Sequence, residues 1–183
     1  MTTLRLADAI DFDAIASITN HYITTTAIHF AYDPVTADEL RCQWREHQHV
    51  YPWLVATGVD GAVQGYAKSG SYRARAAYRW TTETGIYLVP EHCSRGLGAQ
   101  LYARLLAVLR AQGFHSAIGG IALPNVASVR LHEQLGFVHV GTIHRAGRKF
   151  ERWHDLGFWQ LALQAAELGP DPLRSPLDVW PAN

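Results

Sequence analysis

Hydrophobic positions along the chain switch between the two-residue period of a strand and the three-to-four-residue period of a helix. A short strand is predicted over Thr3 to Arg5, followed by an amphipathic helix from Asp8 to about Tyr22 with Ile10, Ile15 and Ile18 among its apolar positions. Thr36-Ala-Asp-Glu39 reads as a capping box, in which a Thr hydroxyl and a Glu three residues on satisfy each other's orphan backbone donors, so a second helix should run from Ala37 to about Glu46. Trp53 to Thr57, the turn at Asp60-Gly61 and Ala62 to Ser69 form a hairpin pattern. Trp80 to Val89, rich in Thr, Ile, Tyr and Val, is predicted as a long central strand stopped by Pro90.

The next segment, Gly96 to Gln112, carries Leu97, Leu101 and Leu105 at helical spacing, with Gly113 placed as a stop. Beyond it the pattern predicts a strand over Ser116 to Ala122, a helix over Pro124 to Leu135 ended by Gly136, and strands over Val138 to His144 and Trp153 to Leu163. Pro170, Pro172, Pro176 and Pro181 follow, so the segment from Leu168 cannot continue a helix and is ordered only if it packs on the domain or a neighbour. The expected organisation is one domain over residues 1–165 and a proline-rich tail over 166–183.

A length of 183 residues suits one domain, and 48% hydrophobic with 17% charged residues is a folding composition. Sixteen basic side chains balance sixteen acidic ones, with no Lys/Arg run, so no nucleic-acid footprint is present. The absence of a long apolar run or export signal leads to the expectation of a cytosolic protein without membrane contact. Cys42 and Cys93 are read as free thiols. His47 and His49 lack the further ligands a metal needs and read as a solvated helix end, so no metal is expected.

Candidate chemistry concentrates between Ile86 and Leu101: a strand, a glycine-containing loop, then a helix N-terminus. Gly96 and Gly98 let backbone approach a bulky anion, while free N–H groups and the positive helix end favour negative charge. This is a pyrophosphate cradle. The third glycine of a dinucleotide loop is missing because residue 101 is Leu, and no Gly-Lys-Ser/Thr follows. Downstream, Asn125, Ser128 and His132 fall on one face of a helix, where an amide, a hydroxyl and an imidazole can line a single groove.

These two elements resemble the GNAT superfamily of acetyl-CoA-dependent N-acetyltransferases. Its pyrophosphate loop, Gln/Arg-x-x-Gly-x-Gly/Ala, is matched by Gly96 and Gly98, with Cys93 standing where the family has Gln or Arg. Asn125-x-x-Ser128 with His132 and Gly136-Phe137 is similar to its second motif, His132 taking the place of a tyrosine. Within the superfamily, Asn20-His-Tyr-Ile23, Tyr51-Pro-Trp-Leu-Val-Ala56, Ala74-Arg-Ala-Ala-Tyr78, Leu123-Pro-Asn125 and Trp153 to Gln160 resemble the phosphinothricin and methionine sulfoximine acetyltransferases.

The resemblance implies a GNAT α/β fold: a mixed sheet, antiparallel in its first half, flanked by helices, with central strands splayed to admit the pantetheine arm of acetyl-CoA. It implies cofactor contacts at Ile86, Tyr87, Leu88, Ser94, Arg95, Gly96, Leu97, Gly98, Ala99, Asn125 and Ser128. Glu83 becomes the base that deprotonates the amine, His132 either an acid at the departing thiolate, the preferred role, or a second group that helps deprotonate the amine, and a backbone N–H near Leu88 an oxyanion donor. Arg73, Arg75 and Tyr78 would hold a substrate oxyanion, with Phe30 against its aliphatic part, in a homodimer whose Phe158-Trp159 strand lies near the interface. Without the resemblance, Glu83 reads as a solvent-facing strand residue and the arginines as a solvated loop. The implied reaction is acetyl transfer to the α-amino group of a small amino-acid-like substrate. The alternatives are a GNAT enzyme acting on another small amine or a protein N-terminus, and a non-catalytic acyl-CoA-binding module, against which the pairing of Glu83 with His132 argues.

Overall fold

The computed structural model describes residues 2–165 and 171–180. Seven strands form one mixed sheet: β1 (Thr3–Leu6), β2 (Trp53–Thr57), β3 (Val63–Ser71), β4 (Thr81–Leu88), β5 (Ser116–Leu123), β6 (Val138–Lys149) and β7 (Arg152–Ala162). Their spatial order is β1-β2-β3-β4-β5-β7-β6. All neighbours are antiparallel except β4 and β5. That parallel step is joined by a crossover helix, α3 (Leu97–Gln112), as a parallel partner requires.

Helices α1 (Phe12–Thr25) and α2 (Ala37–His47) cover one sheet face, and α3 with α4 (Val126–Gln134) covers the other. Strand alternation divides β2 between the two cores: Trp53 and Val55 pack with Phe12, Ile15 and Leu40, whereas Leu54 and Ala56 pack with Leu101, Leu105 and Leu109. The predicted capping box forms, with the Glu39 N–H donating to Thr36 Oγ1 at 3.2 Å and the Thr36 N–H to Glu39 Oε2 at 2.7 Å.

Three boundaries differ from expectation. Ala9–Asp11 is a tight 3-10 turn ahead of α1, fixed by Arg5, which grips the Asp11 carboxylate with two 2.7 Å bonds. The turn takes Ile10 off the apolar face and leaves it 79% exposed, while Ile15 and Ile18 are buried as predicted. β6 continues past His144 to Lys149 and turns through Phe150 and Glu151, both at positive φ, +49° and +62°. A two-residue hairpin turn of this kind usually carries Asn-Gly. Phe-Glu gave no such signal, so the strand end was misplaced.

The third difference lies in the tail, of which 166–170 and 181–183 fall outside the described residues. Pro176 opens a short helical turn, α5 (Pro176–Val179), because proline is tolerated at the first helical position. Residues 171–180 dock on the main domain: Leu173 and Trp180 join the α3 core, Gln112 Nε2 donates to the Arg174 carbonyl at 2.8 Å, and Trp80 Nε1 donates to that of Asp171 at 3.0 Å. Among the described residues, no helix is long and apolar enough to cross a membrane and no His/Cys/Asp/Glu group could hold a metal.

Candidate active site

The site is built where β4 parts from β5. The two strands pair only from Thr81–Thr84 to Ser116–Gly119, although β4 runs on to Leu88 and β5 to Leu123. Past Thr84 a wedge opens between them. The Val89 N–H donates to Gln64 O at 2.9 Å, toward β3. Backbone groups alternate along a strand, so the N–H groups of Ile86 and Leu88 point the other way, into the wedge.

A cavity of about 700 Å³ fills this wedge and is lined by Ile86, Tyr87, Leu88, Ser94, Gly96, Gly98, Ala99, Asn125 and Ser128. Gly96, at φ +83°, turns the chain into α3, a left-handed conformation glycine adopts without steric cost. Gln100 is the first residue of α3 whose N–H finds a helical partner, on Gly96 O at 3.2 Å, which leaves the N–H groups of Leu97, Gly98 and Ala99 free at the positive helix end. A Cβ on Gly98 would sit 3.4 Å from Leu88 Cδ1, so the glycine seats the helix start tightly against β4. Two expected contacts differ. The Leu97 side chain is buried in the core and offers only its backbone, and Arg95 is exposed and does not line the cavity. Cys93 lines it instead, 3.9 Å from the Tyr22 hydroxyl; burial and this thiol push the Tyr22 pKa up.

Asn125 caps α4, its Oδ1 accepting from the Ser128 N–H at 3.1 Å. One turn on, His132 also lines the wedge but is 3% exposed, with Nδ1 2.8 Å from the Ser128 carbonyl and Nε2 3.0 Å from the Tyr102 hydroxyl. A carbonyl only accepts, which puts a proton on Nδ1; in the neutral ring Nε2 then accepts from Tyr102. The Tyr102 oxygen in turn lies 2.6 Å from Thr84 Oγ1. Burial lowers the His132 pKa, against the opposing bond to Ser128, and raises that of Tyr102. The expected acid role needs a charged ring, and burial works against that charge, while both ring nitrogens lie within hydrogen-bond distance of protein oxygens. The ring has room because residue 119 is glycine: a Cβ there would lie 2.5 Å from Nε2.

On the other sheet face a second cavity, of about 510 Å³, lies under α2 and is lined by Glu83, Lys68, Trp53, Tyr51, Gln43 and His47. The two cavities share Thr84, Gly85, Tyr87 and Gly120, at the apex of the wedge. Glu83 points toward β5, with Oε1 3.5 Å from the position of a Cβ on Gly120. Its carboxylate makes no hydrogen bond to a described residue. Burial and the Glu83 charge push Tyr87 up to about 12. Lys68 has its ammonium 4.8 Å from the Trp53 ring centroid and forms no hydrogen bond or ion pair among the described residues. Burial lowers its pKa, with Glu83 opposing.

Arg73, Arg75 and Tyr78 lie exposed on the loop after β3, outside both cavities; Arg73 packs over Tyr72 at 5.2 Å. Phe30 is also elsewhere, against β6, where a Cβ on Gly147 would meet its ring at 2.7 Å. Within one chain the structure therefore does not bring these four to Glu83. Sequence reading passed over Lys68, Tyr102 and His47 as lining or supporting groups. The signal for Lys68 was the one charged residue in the strand Val63–Ser71.

The acetyltransferase (GNAT) domain family matches residues 4–157. A phosphinothricin N-acetyltransferase from Streptomyces viridochromogenes is 46% identical over 157 residues, covering 86% of this chain and 85% of the relative. The L-methionine sulfoximine/L-methionine sulfone acetyltransferase of Salmonella typhimurium is 40% identical, covering 88% and 94%. The Sinorhizobium meliloti GNAT superfamily phosphinothricin acetyltransferase, solved with acetyl-CoA, superimposes with a TM-score of 0.89 at 32% identity over 93% of each chain. A splayed β4–β5 pair, a helix start with free N–H groups and matches along nearly the whole domain agree: this chain belongs to the GNAT acetyltransferase family.

Proposed function

We propose that the chain moves an acetyl group from acetyl-CoA to the α-amino group of a small amino-acid-like acceptor of the phosphinothricin, methionine sulfoximine or methionine sulfone class. The observation that carries this reading is the unpartnered Glu83 carboxylate in a cavity that joins the wedge at Thr84, Gly85, Tyr87 and Gly120. The substrates named for the relatives supply the acceptor class. The free N–H groups of Leu97, Gly98 and Ala99 fit a pyrophosphate, and those of Ile86 and Leu88 fit carbonyl oxygens along the wedge. When bound, acetyl-CoA supplies the acetyl group activated as a thioester. Glu83 takes a proton from the acceptor ammonium, directly or through one water, and so frees the amine lone pair. His132 acts as a positioning residue that, through Tyr102 and Thr84, fixes the apex of the wedge.

The exposed apolar side chains of Val138, Val140, Ile143, Phe150 and Trp153 on the β6–β7 hairpin support assembly as a homodimer, and the exposed thiols of Cys42 and Cys93 fit a reducing cytosol. Light scattering on the purified chain tests the first. The activity is tested by following thiol release from acetyl-CoA over a panel of amino-acid analogues, unmodified amino acids and a polyamine. Methionine sulfone, methionine sulfoximine or phosphinothricin should give the highest kcat/KM. Preference for the polyamine, or no release with any amine, overturns the reading.

A further inference from the structure

Lys68 and Glu83 stand on adjacent strands and on the same sheet face. The register pairs Lys68 with Gly85 and Gly70 with Glu83, so the two charged residues occupy diagonal positions, with glycine at the other two corners. A Cβ on Gly70 would meet nothing within 4 Å, and one on Gly85 would meet a Tyr87 ring carbon at 3.7 Å. Gly120 continues this bare floor on β5. The acceptor cavity thus has a glycine floor with an anion at one corner and a cation at the other. Trp53 and Tyr87 give it aromatic walls, braced from behind by the buried Tyr66, which stacks on Trp53 at 5.9 Å and on Tyr87 at 5.4 Å.

A half-buried ammonium that lines a cavity and has no protein acceptor among the described residues is left to pair with whatever fills that cavity. The Trp53 ring face holds the lysine beside the cavity but accepts no N–H bond. We propose that Lys68 completes the acceptor site by binding the α-carboxylate of a zwitterionic amino acid whose ammonium faces Glu83. This rests on the acetyl-transfer reading above and adds the group that selects α-amino acids from other amines. The ammonium and carboxylate of an amino acid are about 3 Å apart, so a hydrogen bond of about 2.8 Å at each end gives a span of about 9 Å, within reach of a lysine and a glutamate rooted on diagonal strand positions about 7 Å apart. The floor must be glycine because the ligand's own backbone lies there.

The test compares methionine sulfone with its carboxamide, which keeps the amine and side chain but lacks the negative charge. In the unaltered chain the acid should be preferred. Lys68→Met should reduce the acid-to-amide ratio of kcat/KM by about tenfold or more, with the loss in KM for the acid, and Lys68→Arg should restore part of it. A calorimetric titration with acetyl-CoA reports whether each variant is folded; if Lys68→Met is not, Lys68→Gln carries the same comparison. An unchanged ratio in a folded variant, with the unaltered chain active, overturns the role of Lys68 alone. An unaltered chain that acetylates neither compound overturns both readings.

Discussion

The wedge and the acceptor cavity share an edge, but they are made of different material. The wedge is backbone: free N–H groups of α3, the inward-facing N–H groups of β4, and glycines where a side chain would block the approach. The acceptor cavity is side chains: Glu83 from β4, Lys68 from β3, Trp53 from β2, and Gln43 with His47 from α2. A backbone site comes from one continuous stretch of sequence and tolerates any residue that keeps the conformation. A side-chain site depends on register between distant segments, and one substitution changes what it recognises.

The largest expected effect falls on the side-chain half. Glu83→Gln should lower kcat by about 10²- to 10⁴-fold while the calorimetric affinity for acetyl-CoA stays as it was; a matching loss of affinity would break the division between the two halves. In the backbone half, Gly96→Val forces a β-branched residue to φ +83°. A left-handed residue costs about 1–2 kcal/mol, so acetyl-CoA binding should weaken about tenfold. Unaltered affinity in the same titration would remove Gly96 from the cradle.

His132 lies on the boundary, and its contribution is read from pH. Burial keeps its pKa below the ordinary 6.5, so as pH falls through 6.5 the unfolded chain takes up protons that the folded ring refuses. The stability is complete above that value and declines below it, until the folded ring itself titrates. His29, lowered by burial and then by Lys68 and Lys149, adds the same sign. The urea midpoint should drop between pH 7 and pH 5, and His132→Phe should flatten that slope by less than about 1.4 kcal/mol per pH unit. An equally steep slope in the variant would mean that folding leaves the ring's pKa unchanged. The smallest effect is expected from Arg73→Ala and Arg75→Ala, which should each change KM for methionine sulfone about fivefold or less. A larger change would mean that the exposed loop reaches the acceptor after all.

Legibility from sequence follows the same division. Gly96 and Gly98 announced the cradle because spacing within one segment is the whole of its chemistry. Asn125, Ser128 and His132 were placed on one helix face by period alone, but the consequence for His132 was hidden: Tyr102 and Gly119, which fix its neutral tautomer and give it room, come from α3 and β5. Lys68 stood out only as a lysine within a strand. Its meaning depends on standing diagonally from Glu83, a fact of β3–β4 pairing. Arg73, Arg75 and Tyr78, a compact basic cluster in sequence, lie on an exposed loop outside both cavities of the single chain.

The short β4–β5 seam has a mechanical side. The four-stranded and three-stranded halves of the sheet are stitched along a short seam, Thr81–Thr84 with Ser116–Gly119, extended by the His115 and Ser116 N–H groups on Trp80 O. Any molecule lodged beyond that seam touches both halves and serves as mortar between them. Loading with acetyl-CoA should therefore raise the melting temperature, and the rise should continue with the logarithm of its concentration after the crevice is full.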